Sequence, residues 1–172
     1  MNPPTFKQVK LLLLDVDGVL TVGEIIYTDS GEQIKCFDSK DGLGLRLLMD
    51  HGIHVGIITG RRSQALIKRC ENLGIDLIFD GVKDKIKALE AIICRFNIEL
   101  SDVAYMGDDL PDLGVMKKVG IGVCPADAVA EVREHADIIT KSPGGRGAVR
   151  EVCESILKAK GYWDQIVAGH LK

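Results

Sequence analysis

Short apolar runs alternate along the chain with stretches whose apolar residues recur at helical spacing. The runs fall at Val9–Leu14, His54–Thr59, Leu77–Phe79, Val103–Met106, Gly120–Val123 and Asp137–Ile139. Val9–Leu14 is nearly all apolar, the mark of a strand buried on both faces. Between the runs, Leu66, Ile67, Cys70 and Leu73 make one helical face, with Ser63 as N-cap. Ile86, Leu89, Ile93 and Phe96 make a second, capped by Asp84, and Val149, Val152, Cys153, Ile156 and Leu157 make a third. Repeated strand–helix–strand order predicts an α/β fold: a parallel sheet with helices on both faces. No repeat, linker or low-complexity block interrupts it, so residues 1–172 read as a single domain.

One segment departs from this order. Gly23–Phe37 reads as a β-hairpin of two strands, Glu24–Thr28 and Gln33–Phe37, joined by Asp29-Ser30-Gly31-Glu32. Ile25 and Tyr27 fall on one face and Ile26 on the other, and Phe37 likewise opposes Ile34 and Cys36. An isolated hairpin is marginal in water, so this one lies against something, either other subunits or its own domain.

Bulk composition narrows the classes. A chain of 172 residues, 46% of them apolar, suits one domain with a real core. The formal charge of −3 argues against a nucleic-acid binder and a polybasic membrane binder. Cys36, Cys70, Cys94, Cys124 and Cys153 stand far apart with no Cys-x-x-Cys pair, which fits free thiols in a reducing compartment and not a zinc knuckle. Asp15 and Asp17 interrupt the first apolar run too early for a signal peptide, and no stretch is long enough to span a bilayer. A soluble cytoplasmic protein is expected.

The chemistry clusters where strands end. In a Rossmann-like sheet, sites form beyond the carboxyl ends of the strands. Asp15 and Asp17 end the first run in Asp15-Val16-Asp17-Gly18-Val19-Leu20-Thr21; Thr59-Gly60-Arg61 ends the second; Lys85 opens a helix; and Gly107-Asp108-Asp109-Leu110-Pro111-Asp112 follows Val103–Met106. A carboxylate such as Asp15 can attack phosphorus and split a displacement into two steps. The attack sets an anion on an anion, which calls for a divalent metal; Mg²⁺ prefers oxygen ligands, here Asp15, Asp108 and the backbone carbonyl of Asp17. Asp17 is then free as general acid to the leaving oxygen and later as base to water. Thr59 offers a hydroxyl and Gly60 a backbone N–H to phosphoryl oxygens. Lys85 sits in a helix first turn, where its charge opposes the helix dipole unless an anion lies beside it. Asp109 and Asp112 are either caps of the following helix or supports for the site. His51, His54, His135 and His170 are scattered and do not read as ligands.

Taken in order, Asp15-Val16-Asp17-Gly18-Val19-Leu20-Thr21, Thr59, Lys85 and Gly107-Asp108-Asp109 resemble the four motifs of the haloacid dehalogenase superfamily of phosphatases. Most members insert a cap domain that closes the site, and Gly23–Phe37 is too short for one. The hairpin, Asp41-Gly42-Leu43-Gly44, Thr59-Gly60-Arg61 and Gly144-Gly145-Arg146-Gly147-Ala148-Val149-Arg150-Glu151 are more narrowly similar to the capless family of 3-deoxy-D-manno-octulosonate 8-phosphate phosphatases. That resemblance implies a Mg²⁺-dependent enzyme of lipopolysaccharide precursor synthesis. It also implies a homotetramer built through the hairpins, in which neighbouring subunits act as caps. Substrate contacts are implied at Asp17, Asp38, Ser39, Lys40, Asp41, Gly42, Arg46, Gly60, Arg61, Arg69 and Lys85; guanidinium groups suit a substrate with phosphate and carboxylate. For Arg46 and Arg69 an exposed helix face is the other reading. The glycine-rich segment before the last helix reads as mobile. The tail Tyr162–Lys172 is either a lid over a neighbour's site or a segment docked through Trp163.

Two alternatives remain at this level. A phosphatase of nine-carbon ketoacid phosphates shares the fold, and Arg61 favours the eight-carbon substrate because the nine-carbon enzymes tend to carry glutamate there. A non-catalytic phosphate-binding module also gathers Asp, Thr and Lys on an α/β rim, but has no need of Asp17 two residues beyond the nucleophile.

Overall fold

Leu11–Leu14 (β1) is buried at every position in the computed structural model of the chain, which describes residues 5–171. Alternate side chains leave a strand on opposite faces, so Leu12 and Leu14 enter one apolar core and Leu11 and Leu13 another. The strand starts later than the apolar run from Val9, because Val9 closes a 3₁₀ turn by donating to the Phe6 carbonyl at 3.2 Å. In chain order the remaining elements are β2 (Ile26–Tyr27), β3 (Gln33–Ile34), α1 (Ser39–Asp50), β4 (His54–Ile58), α2 (Gln64–Leu73), β5 (Leu77–Phe79), α3 (Lys85–Phe96), β6 (Val103–Met106), α4 (Leu113–Met116), β7 (Ile121–Cys124), α5 (Ala130–His135), β8 (Ile138–Ile139), α6 (Ala148–Ala159) and α7 (Trp163–His170).

The six predicted runs form one parallel sheet in the order β5-β4-β1-β6-β7-β8. Helices α1, α2 and α6 cover one face, and α3, α4 and α5 the other. The three predicted helical faces are those of α2, α3 and α6. Ser63 caps α2 by accepting from Leu66 N–H at 3.4 Å, and Asp84 caps α3 by accepting from Ile86 N–H at 3.1 Å. Helix α1 has no predicted face, since Gly42 and Gly44 break its apolar period. Gly44 is there for close approach: a Cβ on it would stand 3.0 Å from Arg150 Cδ and 3.1 Å from Cys153 Cβ of α6.

The hairpin is shorter than its sequence pattern. Only Ile26↔Ile34 and Tyr27↔Gln33 pair, because the chain turns away after Ile34 as Lys35 reaches back toward β1. The glycine-rich segment, expected to be mobile, is instead tied down. Gly144 N–H donates to Asp127 Oδ1 and Gly145 N–H to the Val19 carbonyl, each at 2.8 Å. The tail forms α7 and docks on its own α6, where the Arg150 guanidinium and Lys158 ammonium lie 5.4 and 5.1 Å from the Trp163 ring centroid. Lys172, the end of that tail, lies outside the described residues, as do residues 1–4 of the single predicted domain. No helix among the described residues is long and apolar enough to cross a membrane.

Candidate active site

Three adjacent parallel strands end together. Register places Leu14 beside Ile57 on one side and Met106 on the other, so the residues that follow β4, β1 and β6 emerge on one rim. The chain runs from β1 to β4 on one side and later crosses to β6 on the other, which makes this rim the switch point of the sheet. A cavity of about 760 Å³ opens there, lined among others by Asp15, Asp17, Thr59, Lys85 and Asp108.

Asp15 is buried, and its Oδ1 lies 2.8 Å from Lys85 Nζ. Burial pushes its carboxyl up to about 6, against the pull of Lys85. Lys85 also reaches Asp112 Oδ1 at 2.7 Å and lies 3.4 Å from the Tyr105 hydroxyl. Burial works to lower the Lys85 ammonium, but Asp15 and Asp112 outweigh it and hold the ammonium above its ordinary value. A cation in this helix first turn, adverse by itself, is thus neutralised by two buried carboxylates.

Asp108 follows β6, and burial together with Asp15 and Asp112 pushes its carboxyl up to about 7. Its Oδ1 is buried without a hydrogen-bond partner among the described residues. An orphaned carboxylate oxygen beside a second raised carboxylate is the expected state of a pair that shares a cation. Oxygens of Asp15, Asp108 and Asp112 lie within 4.8 Å of one another. Asp112 is already committed: Oδ1 serves Lys85 and Tyr105, and Oδ2 accepts from the N–H groups of Asp108 at 3.1 Å and Asp109 at 3.3 Å. It shapes the loop, while Asp15 and Asp108 keep free oxygens for a hard divalent ion. Gly18, at φ +90°, keeps the turn clear, since a Cβ on it would overlap the Asp108 carboxylate.

Thr59 is buried at the end of β4, with Arg61 N–H 3.5 Å from its hydroxyl oxygen, and Gly60 and Arg61 complete that wall. The Asp17 side chain turns from the other acids: Oδ1 pairs with Lys35, and Oδ2 lies 3.8 Å from Arg61 Nε. Asp17 contributes no carboxylate oxygen to the acidic group formed by Asp15, Asp108 and Asp112. Lys35 and Tyr105 were not singled out from the sequence; Lys35 lies in the hairpin, 18 residues from Asp17.

The remaining predicted contacts lie elsewhere in the single chain. Asp38 caps α1 by accepting from Lys40 N–H at 2.6 Å, and its carbonyl accepts from the Arg69 guanidinium at 3.0 Å. Asp41 is buried and accepts from Arg150 N–H at 2.8 Å and Gly147 N–H at 3.4 Å, tying α1 to the start of α6. Ser39 and Lys40 are exposed. Asp38, Gly42 and Arg69 line a narrow crevice with Phe37, and Arg46 donates to the Asn72 carbonyl. None of these seven, Asp38 to Gly42, Arg46 and Arg69, lines the cavity that holds Asp15.

Known proteins share the sequence and the fold. Residues 77–152 match the haloacid dehalogenase-like hydrolase family. The 3-deoxy-D-manno-octulosonate 8-phosphate phosphatase of Escherichia coli K12 is 43% identical over 159 residues, 92% of this chain and 85% of that protein. The chain belongs to this phosphatase family. A phosphatase of the family from Moraxella catarrhalis, solved with magnesium, phosphate and the sugar acid, is 45% identical with a TM-score of 0.94, covering 96% of this chain and 95% of that one. A cobalt-bound family phosphatase from Haemophilus influenzae is 37% identical with a TM-score of 0.92, covering 97% of this chain and 99% of that one. Membership makes the chain a phosphoric monoester hydrolase of the haloacid dehalogenase type.

Proposed function

We propose that this chain is a Mg²⁺-dependent phosphatase that converts 3-deoxy-D-manno-octulosonate 8-phosphate to the free sugar acid and phosphate, in lipopolysaccharide precursor synthesis. One observation carries the reading: Asp15, paired with Lys85 at 2.8 Å, shares a cavity with Asp108, whose Oδ1 has no hydrogen-bond partner among the described residues. Asp15 attacks phosphorus and becomes an aspartyl phosphate. Lys85 holds the Asp15 carboxylate in place and offsets charge as the phosphoryl group approaches. The Thr59 hydroxyl and Gly60 N–H take phosphoryl oxygens. Asp17 gives a proton to the leaving oxygen, then removes one from the water that hydrolyses the aspartyl phosphate. Mg²⁺, held by Asp15, Asp108 and the Asp17 carbonyl, supplies positive charge against the repulsion between nucleophile and phosphoryl group.

Residues 1–172 act in this reading as one capless domain in the cytoplasm. Arg61 contacts substrate at the cavity wall. Asp38, Ser39, Lys40, Asp41, Gly42, Arg46 and Arg69 contact substrate, in a homotetramer whose neighbouring subunits act as caps. Supporting the assembly, Ile25, Ile26, Tyr27 and Ile34 of the hairpin expose 40–63% of their surface, an apolar patch suited to a second copy. The test is phosphate release with Mg²⁺ from a panel: the eight-carbon substrate, nine-carbon ketoacid phosphates, and hexose and pentose phosphates. A kcat/KM advantage of about a hundredfold for the eight-carbon substrate supports the reading, equivalent to roughly 2.7 kcal/mol. A flat profile makes the chain a general phosphatase. Sedimentation of an active monomer would remove the shared-site component.

A further inference from the structure

We propose that Lys35 is a positioning residue that fixes the Asp17 carboxylate for proton transfer, through the ion pair between Lys35 Nζ and Asp17 Oδ1. This rests on Asp17 being the general acid, as proposed above. Lys35 follows Ile34, the last paired residue of the hairpin, and its side chain is 2% exposed. Lysines in ordinary surface pairs here behave otherwise: Lys68 and Lys87 keep 76% and 82% exposure. A buried ammonium is costly unless paired, and among the described residues Asp17 is its one ionic partner. The hairpin therefore brings a buried charge to Asp17 from behind the cavity, which Asp17 lines together with Gly23 and Ile25.

The pairing divides the labour of the two Asp17 oxygens. Oδ1 is held by Lys35. Oδ2 lies 3.8 Å from Arg61 Nε, too far for a hydrogen bond, and is the oxygen left to carry a proton. A carboxylate on a turn rotates about its last torsion with little resistance. Anchoring one oxygen fixes the plane and so aims the other. In the transfer step an Asp15 oxygen forms the new P–O bond and the ester P–O bond breaks. The proton on Asp17 Oδ2 passes to the departing oxygen. Lys35 touches none of the reacting atoms and acts through Asp17.

The leaving group separates this role from a structural one. An alkyl phosphate needs the proton, whereas p-nitrophenyl phosphate releases an oxygen that departs without it. The reading is taken from kcat/KM, which reports the transfer step for both esters. Lys35→Met is expected to lower kcat/KM about tenfold or more on the sugar-acid phosphate and less than about threefold on p-nitrophenyl phosphate, with Lys35→Arg recovering most of the loss. Lys35→Gln replaces Lys35→Met if the latter does not fold by circular dichroism. Equal loss on both esters, or no loss on either, overturns the proposal. Asp17→Asn is the reference. If it shows the leaving-group selectivity and the Lys35 variants do not, Lys35 is excluded while the acid role stands. If Asp17→Asn loses both esters equally, the acid role itself fails.

Discussion

Lys85 Nζ and Asp15 Oδ1 stand 2.8 Å apart, and the two side chains are only 9% and 11% exposed. One opens a helix and the other follows the central strand, so their contact joins two layers of the fold at the proposed nucleophile. Lys85→Met leaves Asp15 and Asp112 facing each other without a cation. Turnover is expected to fall at least about a hundredfold in steady-state phosphate release. Removing one member of a buried pair costs about 3–5 kcal/mol, visible as a lowered thermal midpoint. The gap to wild type should narrow near pH 5, where Asp15 takes up a proton.

Asp15→Asn is expected to abolish turnover and Asp17→Asn nearly to do so. The two losses differ in kind. Asp15→Asn cannot form an acyl phosphate, so rapid quench with labelled substrate should show no labelled protein. Asp17→Asn retains the nucleophile and should still label slowly with a substrate whose leaving group needs no proton. Wild-type-like rates in either variant contradict the mechanism.

Metal binding and pH should be linked. Asp15 is raised to about 6 and Asp108 to about 7, from an ordinary 3.8, chiefly by burial. The folded, metal-free chain thus holds protons there that the unfolded chain has already released. The stability these two groups contribute is greatest at low pH and declines as pH rises through roughly 4–7. Mg²⁺ displaces the same protons, so its affinity should rise through pH 6–7 and level off above about 8. Calorimetry in buffers of different ionisation enthalpy should show proton release at about pH 6 and almost none at about pH 8.5. EDTA should remove activity and added Mg²⁺ restore it.

Asp41 joins α1 to α6 by accepting two backbone N–H groups at the α6 N-terminus. Asp41→Ala leaves those donors buried and is expected to cost about 1–2 kcal/mol. For a chain of this length that lowers the thermal midpoint by roughly 2–8 °C. Asp41→Asn keeps one acceptor and should fall between, as differential scanning calorimetry can resolve.

Arg61 lies beside Asp17 with 51% of its side chain exposed, on the cavity wall. Arg61→Glu replaces a cation suited to a substrate carboxylate with an anion. The ratio of kcat/KM for eight-carbon over nine-carbon substrates is expected to reverse; an unchanged ratio removes Arg61 as the discriminator.

Legibility in the sequence followed the range of each interaction. The parallel sheet was readable because β1 buries alternate leucines in two cores, which forces an unbroken apolar run. Asp15, Thr59 and Asp108 were readable together because strand ends in one sheet converge. Asp112 was ambiguous between cap and support; it completes the capping box with Asp109 and also holds Lys85. The Lys35 contact was unreadable because it depends on how the hairpin folds back, which no local pattern encodes. Helix α1 escaped notice because its glycines serve contact with α6 and not an apolar period.

The site draws on the firmest and the softest parts of the molecule at once. Asp15 hangs from β1, the central strand paired along its length on both sides, the kind of element that opens last in a domain. Lys35 hangs from a ladder of two residue pairs. Bond-making at phosphorus therefore shares the lifetime of the native state. Aim at the departing oxygen rests on a segment outside the main sheet, one that the proposed contact with a second copy would hold in place. A chain built this way sets its attack on phosphorus and its aim at the leaving group through separate segments.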